Sequence, residues 1–340
     1  AIGPWNWSFP RDHGAHPEFR TEWWYFTGNL RDAAGNRYGY QLTFFRQGVR
    51  PRASDPGNPW SLRDLYPAHF AITDAGAGTF HFAEQITRSG PGLAGAETGG
   101  MNVWNLGWSA HMAGERIRIR ARHGEMELSL DLKPRKPLVL QGDRGLSRKG
   151  PGRGQASYYY SFTDLATKGI IRTPGAEMPV PVEGVSWFDQ EFSSNALTED
   201  QVGWDWFSIR LTDGRDLMLY FLRKKDGTVE KESSGTLVEA DGRSRTLKLG
   251  EIGVEVLATW TSPKSGGKYP GRWRIRIPAA GIDLELMPLV AAQELITEGS
   301  TGVTYWEGAV DGKGSSAGSA VTCEGYVEMT GYAGSLGGLF

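Results

Sequence analysis

The segment from residue 16 to residue 30, HPEFRTEWWYFTGNL, places a glutamate directly before four consecutive aromatic residues. Side chains alternate between the two faces of a β-strand, so Trp23 and Tyr25 point to one side while Trp24 and Phe26 point to the other. Large rings on both faces make exposure of either face to water unfavourable. The segment therefore predicts a strand that is covered on both sides, by a barrel interior on one face and by a second surface on the other.

Alternation of polar and apolar residues recurs along the chain. Residues 125–132 (EMELSLDL) and 272–277 (RWRIRI) each place their apolar side chains on one face, which is typical of a half-buried strand. Asp-Gly pairs, which favour tight hairpin turns, follow many such segments. Because no convincing amphipathic helix of useful length is present, the sequence predicts an all-β protein.

The chain also contains an internal repeat. Residues 22–46 align with residues 203–223, and the pairs that support the alignment include Trp23 with Trp204, Tyr25 with Trp206, Phe26 with Phe207 and Arg46 with Arg223. Further along, residues 115–141 align with 272–293, and SYYYSF at 157–162 lies opposite TYWEGA at 304–309. The order of the blocks is kept throughout, so the repeat predicts an internal duplication.

Each copy of this repeat spans about 150 residues, the ordinary size of a domain. Such a unit is large enough for a barrel of eight to ten strands. The segment RTPGAEMPVPVEG at 172–184 is rich in Pro and Gly and marks the junction of the two copies. We therefore predict two tandem β-barrel domains, residues 1–178 and 179–340.

The charge balance excludes some classes of partner. Lys and Arg number 37 and Asp and Glu number 39, which gives a net charge of −2. This balance offers no electrostatic reason to expect nucleic acid or an anionic membrane as partner. A single cysteine, Cys323, excludes an internal disulfide and a cysteine metal cage, and no apolar run has the length of a membrane-spanning helix.

Several ordered blocks resemble the AttH-like and carotenoid-hydratase-like (CrtC) proteins of the lipocalin-like, or calycin, group. The blocks include FPRDHGAHPEFRTEWWYFTGNL (9–30), GVSWFDQEFSS (184–194), YWEGAV (305–310) and GYVEMTGY (325–332). The resemblance implies that the two barrels are lipocalin-like and that the protein acts in lipid or isoprenoid metabolism. For the best-understood relatives it implies the addition of water to a terminal carbon–carbon double bond of a carotenoid precursor.

Three functional classes stay open at this point: a hydratase or related lyase, a non-catalytic lipid carrier or transport accessory protein, and a secreted hydrolase. The hydrolase class has one apparent motif, GSSAG at 314–318, which matches a nucleophile elbow. That elbow requires a strand-to-helix turn and a later histidine. Residues 314–318 connect two predicted strands, and the last histidine is His123, so the motif is better explained as a hairpin loop.

The block SWFDQEFSS carries the sharpest chemical signal. Asp189 and Glu191 are two residues apart, so they share one face of a strand among aromatic neighbours. In the structural interpretation, the two carboxylates pair with Arg or with backbone amides. In the functional interpretation, apolar surroundings raise the pKa of Asp189 so that it can protonate an alkene, with Glu191 and His16 as orienting groups. The resemblance predicts a histidine at position 190, where this chain has Gln190. A glutamine cannot relay a proton as a histidine can, so this difference would remove a candidate proton shuttle.

We expect the aromatic blocks to line a cleft at the inter-domain junction that binds an apolar small molecule such as a lipid, fatty acid or isoprenoid. The residues predicted to bind it are Glu22, Trp23, Trp24, Tyr25, Trp187, Trp204, Asp205, Trp206, Tyr305 and Trp306.

The one cluster of metal-ligand types, Asp12, His13, His16 and Glu22, has no strand or helix framework, so we expect neither a metal nor another cofactor. A removed signal peptide would fit the first residue, Ala1, and a periplasmic or secreted location is expected. A membrane-associated transport system is a candidate partner.

Overall fold

The computed structural model describes residues 1–49, 62–195 and 197–337. Its strands form two sheets, one of 13 strands and one of 10 strands. The strands of the first sheet are β1 (Thr21–Asp32), β2 (Arg37–Gly48), β3 (Asp64–Asp74), β4 (Thr79–Arg88), β5 (Ala94–Ala96), β6 (Asn102–Asn105), β7 (Trp108–Ala113), β8 (Arg116–His123), β9 (Met126–Pro134), β10 (Val139–Leu140), β11 (Leu146–Arg148), β12 (Ala156–Arg172) and β13 (Val180–Ser193). The strands of the second sheet are β14 (Gln201–Leu211), β15 (Asp216–Lys224), β16 (Ser234–Val238), β17 (Ser244–Lys248), β18 (Gly253–Thr261), β19 (Lys268–Ile277), β20 (Ile282–Pro288), β21 (Glu294–Thr297), β22 (Val303–Ser316) and β23 (Ser319–Thr330).

Helical structure in the described ranges is limited to three single-turn 3₁₀ helices. They are Arg11–His13, Leu249–Glu251 and Pro278–Ala280. In the described part of the chain, no helix has the length and apolar character needed to cross a membrane. The all-β prediction is therefore confirmed.

The two sheets have the same strand order. The first runs β4-β3-β2-β1-β13-β12-β9-β8-β7 and continues through β6 to β5, and the second runs β17-β16-β15-β14-β23-β22-β20-β19-β18. Strand β1 thus corresponds to β14 and β2 to β15, so the aligned segments 22–46 and 203–223 occupy equivalent strands. Each sheet curls into a lipocalin-like barrel, as the repeat and the resemblance together predicted.

The register of strand pairing identifies which residues of the two barrels correspond. Tyr25 of β1 lies opposite Asp189 of β13, and Trp206 of β14 lies opposite Glu328 of β23. Because Tyr25 and Trp206 are equivalent in the repeat, Asp189 and Glu328 occupy equivalent positions in their barrels.

The same register corrects the alignment of the two aromatic blocks on β12 and β22. Tyr159 lies opposite Glu191, which is two residues after Asp189. Tyr305 lies opposite Thr330, which is two residues after Glu328. Tyr305 therefore corresponds to Tyr159, whereas an end-to-end alignment of the six-residue blocks pairs it with Tyr158. A shift of one residue moves a side chain to the other face of its strand, so the correction decides which rings face outward.

The change from one sheet to the other lies later than the sequence indicated. Strand β13 pairs with both β1 and β12, so residues 180–193 belong to the first sheet. The change occurs between Ser193 and Gln201 rather than between residues 178 and 179. The Pro- and Gly-rich segment instead connects β12 to β13 within the first barrel.

The serine-containing segment 314–318 is a hairpin between β22 and β23. Ser316 ends β22, and its hydroxyl bonds the carboxylate of Asp213. A strand follows the turn where a nucleophile elbow requires a helix, so this segment is not an elbow.

Aromatic and aliphatic side chains fill the interior of each barrel. The first contains Trp24, Phe26 and Trp108, and the second contains Trp273 and Trp306, each at most 2% exposed. Trp24 and Trp306 were predicted to bind the ligand, but both are interior core residues. The side chains that remain for a ligand are those on the outward faces of the strands.

Candidate functional site at the junction of the barrels

A cavity of about 160 Å³ lies between the outward faces of the two barrels. Strands β1, β2, β3, β12 and β13 form one wall, and β14, β15, β22 and β23 form the other. The aromatic side chains that line it include Trp23, Tyr25, Tyr159, Trp204, Trp206 and Tyr305. An apolar cavity of roughly 150 Å³ can hold benzene, so the space suits a small ring-shaped group.

The cavity brings together about half of the residues that the sequence selected. Trp23, Tyr25, Trp204, Trp206 and Tyr305 line it, together with the two carboxylates Asp189 and Glu191. Trp187 packs in the same aromatic cluster behind the wall. The remaining candidates lie on the interior faces of the strands or at the barrel ends.

Glu22 and His16 belong to a buried network inside the first barrel. His16 Nδ1 lies 2.7 Å from Oε1 of Glu22, and Arg46 Nε lies 3.2 Å from Oε2 of the same carboxylate. The His16 ring stacks on Phe192 at 3.6 Å between centroids. Since Phe192 points inward from β13, the prediction that His16 orients the outward-facing Asp189 is wrong.

Asp205 occupies a comparable structural position in the second barrel. Arg223 Nε lies 3.1 Å from its Oδ1, and the Tyr332 hydroxyl donates to Oδ2 at 3.1 Å. The side chain points away from the cavity, because Trp204 and Trp206 on either side of it point toward the cavity. The structure therefore places neither Glu22 nor Asp205, both predicted to bind the ligand, in the cavity wall.

The suggested metal-ligand cluster is a hydrogen-bonded plug at the first barrel. The His13 Nδ1 atom lies 2.7 Å from the Tyr160 hydroxyl, and Arg11 and the Ser8 backbone amide donate to Asp12 at 2.8 and 2.6 Å. Among the described residues, no group of three His, Cys, Asp or Glu side chains is arranged to hold a metal ion.

Gln190, at the position where the resemblance predicts histidine, also belongs to this plug. Its Oε1 accepts a hydrogen bond from Tyr160 at 2.7 Å, and its Nε2 donates to the carbonyl of Gly14 at 2.8 Å. The side chain is fully buried on the face opposite Asp189. A histidine at this position would not reach the cavity, so the substitution removes no proton shuttle from it.

Asp189 is a buried carboxyl that accepts hydrogen bonds from three side chains. Tyr159 donates to Oδ2 at 2.8 Å, while Ser161 and Trp187 donate to Oδ1 at 2.5 and 2.7 Å. Burial raises the pKa of Asp189 to about 7, and the three donors limit the rise because they favour the ionised form. Both oxygens are occupied as acceptors, so this carboxyl is held firmly and has little freedom to deliver a proton.

Glu191 has an opposite charge as partner. Lys149 Nζ lies 2.8 Å from its Oε1, and the same ammonium lies 4.0 Å from the centre of the Tyr220 ring. Both charged side chains are largely buried. The pair is a structural ion pair in the cavity wall, so Glu191 is not free to act as an orienting group for a proton donor.

Two further carboxyls, Glu307 and Glu328, line the cavity, and the sequence interpretation missed both. Burial raises the pKa of Glu328 to about 8, helped by the negative charges of Asp189 and Glu191 and opposed by a hydrogen bond from Trp204. Burial and the nearby charge of Glu328 raise the pKa of Glu307 well above its ordinary value.

A signal for these two residues was present in the sequence. Both lie in blocks that carry the family resemblance, YWEGAV and GYVEMTGY. Extending the repeat to SWFDQEF would have placed Glu328 at the position equivalent to Asp189.

A buried histidine contributes another polar group to the cavity wall. His69 Nδ1 lies 2.7 Å from the Tyr305 hydroxyl and Nε2 lies 2.9 Å from Ser300 Oγ. Ser300 donates its own proton to Glu84, so it accepts from Nε2–H, and Nδ1 accepts from Tyr305. Burial lowers the pKa of His69 to about 3, so the ring is neutral and fixes the direction of the Tyr305 hydroxyl.

Comparison with known proteins relates the whole chain to one family. The family model described as AttH-like matches residues 1–332. A crystal structure of an AttH protein from Nitrosomonas europaea has 37% sequence identity and a TM-score of 0.84, and the match covers 96% of this chain and 97% of that one.

Two more distant structures share the fold. Kievitone hydratase from Nectria haematococca has 16% identity and a TM-score of 0.70 over 92% of this chain and 89% of that one. CghA has 16% identity and a TM-score of 0.55 over 94% and 90% of the two chains. No curated protein sequence matches the chain.

Proposed function

This chain belongs to the AttH-like family, and on that basis we propose that it is a hydratase that binds an apolar small molecule in the cavity between its barrels. The reaction would be the addition of water to a carbon–carbon double bond, or its reversal. Kievitone hydratase, which shares the fold, carries that type of activity in its name.

One observation carries the proposal: three carboxyls with raised pKa values line a cavity whose wall is mostly apolar and contains several aromatic rings. The three are Asp189, Glu307 and Glu328. Burial without a cationic partner favours the neutral form of a carboxyl, and a neutral carboxyl in an apolar site is the acid that alkene hydration requires. A binding site that only stores an apolar ligand has no use for three such groups, since burying each one costs free energy.

Glu328 is the residue to which we assign proton donation. It is the equivalent of Asp189 in the second barrel. A hydrogen bond from Trp204 acts on its carboxyl, whereas three donors hold the carboxyl of Asp189. Its side chain is partly accessible because it faces the cavity, and its pKa of about 8 keeps it protonated at pH 7. A protonated and accessible carboxyl can transfer its proton to a ligand carbon, which Asp189 is less free to do.

The proposed reaction has two steps. In the first, the alkene π electrons form a new carbon–hydrogen bond with the proton of Glu328, which leaves a carbocation on the ligand and a carboxylate on the protein. The rings of Trp23 and Trp204 line the cavity, where aromatic rings can stabilise that cation. In the second step a water oxygen bonds to the cationic carbon, and the proton that water loses restores the acid form of Glu328.

A labelling experiment tests this function while the ligand is still unidentified. Purified protein would be incubated with an organic extract of its source cells in oxygen-labelled water, and the extract would be analysed by mass spectrometry. We expect one compound to gain one labelled water with the native protein. Glu328→Gln should lower the rate by about 10²- to 10⁴-fold.

Glu324→Gln provides the matched control. Glu324 lies on the same strand but forms an ion pair with Arg210 outside the cavity, so this variant should keep the activity. A compound that co-purifies and is returned without label by the native protein would show a carrier and would refute the hydratase assignment.

A further inference from the structure

We propose that the cavity selects a neutral ligand that carries a hydroxyl group beside its apolar body, and that it rejects carboxylates, including fatty acid anions. The inference rests on the proposed binding function and specifies the substrate class. Two independent features of the cavity carry it: the pairing of its cationic lining side chain with a carboxylate, and a set of buried polar atoms that lack a well-formed hydrogen bond.

The wall offers a bound anion no free cation among the described lining residues. Four carboxyl groups line the cavity, namely Asp189, Glu191, Glu307 and Glu328, and the cationic side chain among the described lining residues is Lys149. The Lys149 ammonium is already paired with Glu191 at 2.8 Å. A ligand carboxylate would therefore be buried without a free cation beside it, which is strongly unfavourable.

Three buried polar atoms at the cavity lack a well-formed hydrogen bond. They are the hydroxyl of Tyr25, Oε1 of Gln41 and Oε1 of Glu307, and the side chains are 6%, 1% and 1% exposed. All three residues line the cavity. A buried polar group without a well-formed hydrogen bond costs up to about 1–3 kcal/mol, so a ligand hydroxyl that pairs with one of these atoms gains affinity that a hydrocarbon cannot gain.

The three atoms belong to one region of the wall. Tyr25 and Glu307 face each other across the junction and interact without well-formed hydrogen-bond geometry. After the larger effect of burial, the charge of Glu307 and its contact with the hydroxyl raise the pKa of Tyr25. The Gln41 amide interacts with Tyr305, which lies two residues before Glu307 on the same strand face. Carboxyl and amide oxygens accept hydrogen bonds and the tyrosine hydroxyl can donate or accept, so a hydroxyl, which does both, complements the set.

Three probes of one shape separate these effects: naphthalene, naphthol and naphthoate. Naphthol is neutral at pH 7 and adds one hydroxyl, whereas naphthoate carries a carboxylate. Calorimetric titration of the full-length protein should give naphthol an affinity about tenfold above that of naphthalene, which corresponds to one recovered hydrogen bond. Naphthoate should bind about a hundredfold more weakly than naphthol, because its carboxylate has no free cation.

Variants assign each preference to its residue. Tyr25→Phe should reduce the preference for naphthol over naphthalene, whereas Tyr40→Phe should leave it unchanged, since the Tyr40 hydroxyl bonds Ser186 away from the cavity. Glu191→Gln frees Lys149 and should raise naphthoate affinity selectively, by about tenfold or more.

The outcomes distinguish this inference from the proposed function. Equal binding of naphthol and naphthalene, or binding of naphthoate as tight as that of naphthol, would overturn the selectivity while leaving the cavity as a binding site. Absence of binding by all three probes would overturn the binding function itself, and the selectivity with it. The native protein alone gives these answers, so they stand even where a variant folds poorly.

Discussion

Replacing Asp189 by Asn should change the way in which the stability of this protein depends on pH. Asp189 is 3% exposed, and burial raises its pKa to about 7, compared with about 4 in an unfolded chain. The folded state therefore holds the proton more tightly than the unfolded chain. The resulting stabilisation is complete below pH 4 and is lost as the pH rises to 7.

The size of this loss follows from the difference between the two pKa values. Three pH units at about 1.4 kcal/mol each amount to ~4 kcal/mol of stability that is missing above pH 7. Asparagine has the same shape and cannot ionise, so Asp189→Asn abolishes the loss. The asparagine side chain also places an NH₂ group, which can only donate, where Asp189 accepts hydrogen bonds from Tyr159, Ser161 and Trp187. This loss of an acceptor costs roughly 1–3 kcal/mol at any pH.

The two effects combine to reverse the order of stability with pH. At pH 4, where little of the stabilisation is lost, the variant should be less stable than the native protein by ~0.5–2.5 kcal/mol, and at pH 8.5 it should be more stable by ~1–3 kcal/mol. Urea unfolding followed by tryptophan fluorescence measures both values. Asp241→Asn is the control, because the backbone amide and side chain of Arg243 lower the pKa of this surface carboxyl and its replacement cannot remove a loss at alkaline pH.

A free energy difference between Asp189→Asn and the native protein that is the same at pH 4 and pH 8.5 would refute the reasoning. It would mean that burial does not raise the pKa of Asp189 above its value in the unfolded chain. The carboxyl would then be a purely structural acceptor for its three donors.

Two further predictions concern packing. Trp24→Leu should lower the free energy of unfolding by about 3 kcal/mol or more, because Trp24 is completely buried inside the first barrel. Trp23→Leu should cost less stability and should instead weaken probe binding. Equal stability losses for the two variants in urea unfolding would contradict this difference. Gly325→Ala should strongly destabilise the protein, because the new Cβ would lie 1.9 Å from the carbonyl oxygen of Ser208. Gly99→Ala should leave the stability unchanged, because nothing lies within 4 Å of the new Cβ. An unchanged stability of Gly325→Ala in the same assay would refute the predicted clash.

The strands and the duplication could be predicted because both depend on local patterns. Alternation in RWRIRI and EMELSLDL reports directly which residues face a barrel interior. The repeat required only that aromatic blocks recur in order. The division at residue 178 was misplaced because a Pro- and Gly-rich loop looks the same within a barrel as between barrels, and only the pairing of β13 with β1 distinguishes the two cases.

The candidate site was predicted in part, for a physical reason. Trp23 and Trp24 are both large rings on one strand, so the sequence shows that both faces are covered but not which face is the barrel interior. Glu22 and His16 were assigned to the wrong face in consequence. His69 lies between apolar neighbours in HFAITD, a context that favours a core histidine, and only the fold shows that it holds the hydroxyl of Tyr305.

The equivalence of Asp189 and Glu328 has an evolutionary consequence. Had this cavity formed between two separate identical subunits, one gene would have had to encode the same carboxyl on both walls. Two copies within one chain can differ at equivalent positions. Tyr159, Ser161 and Trp187 hold one carboxyl, whereas the other faces the cavity. A duplicated chain can therefore place two acids with different surroundings on opposite walls of one cavity.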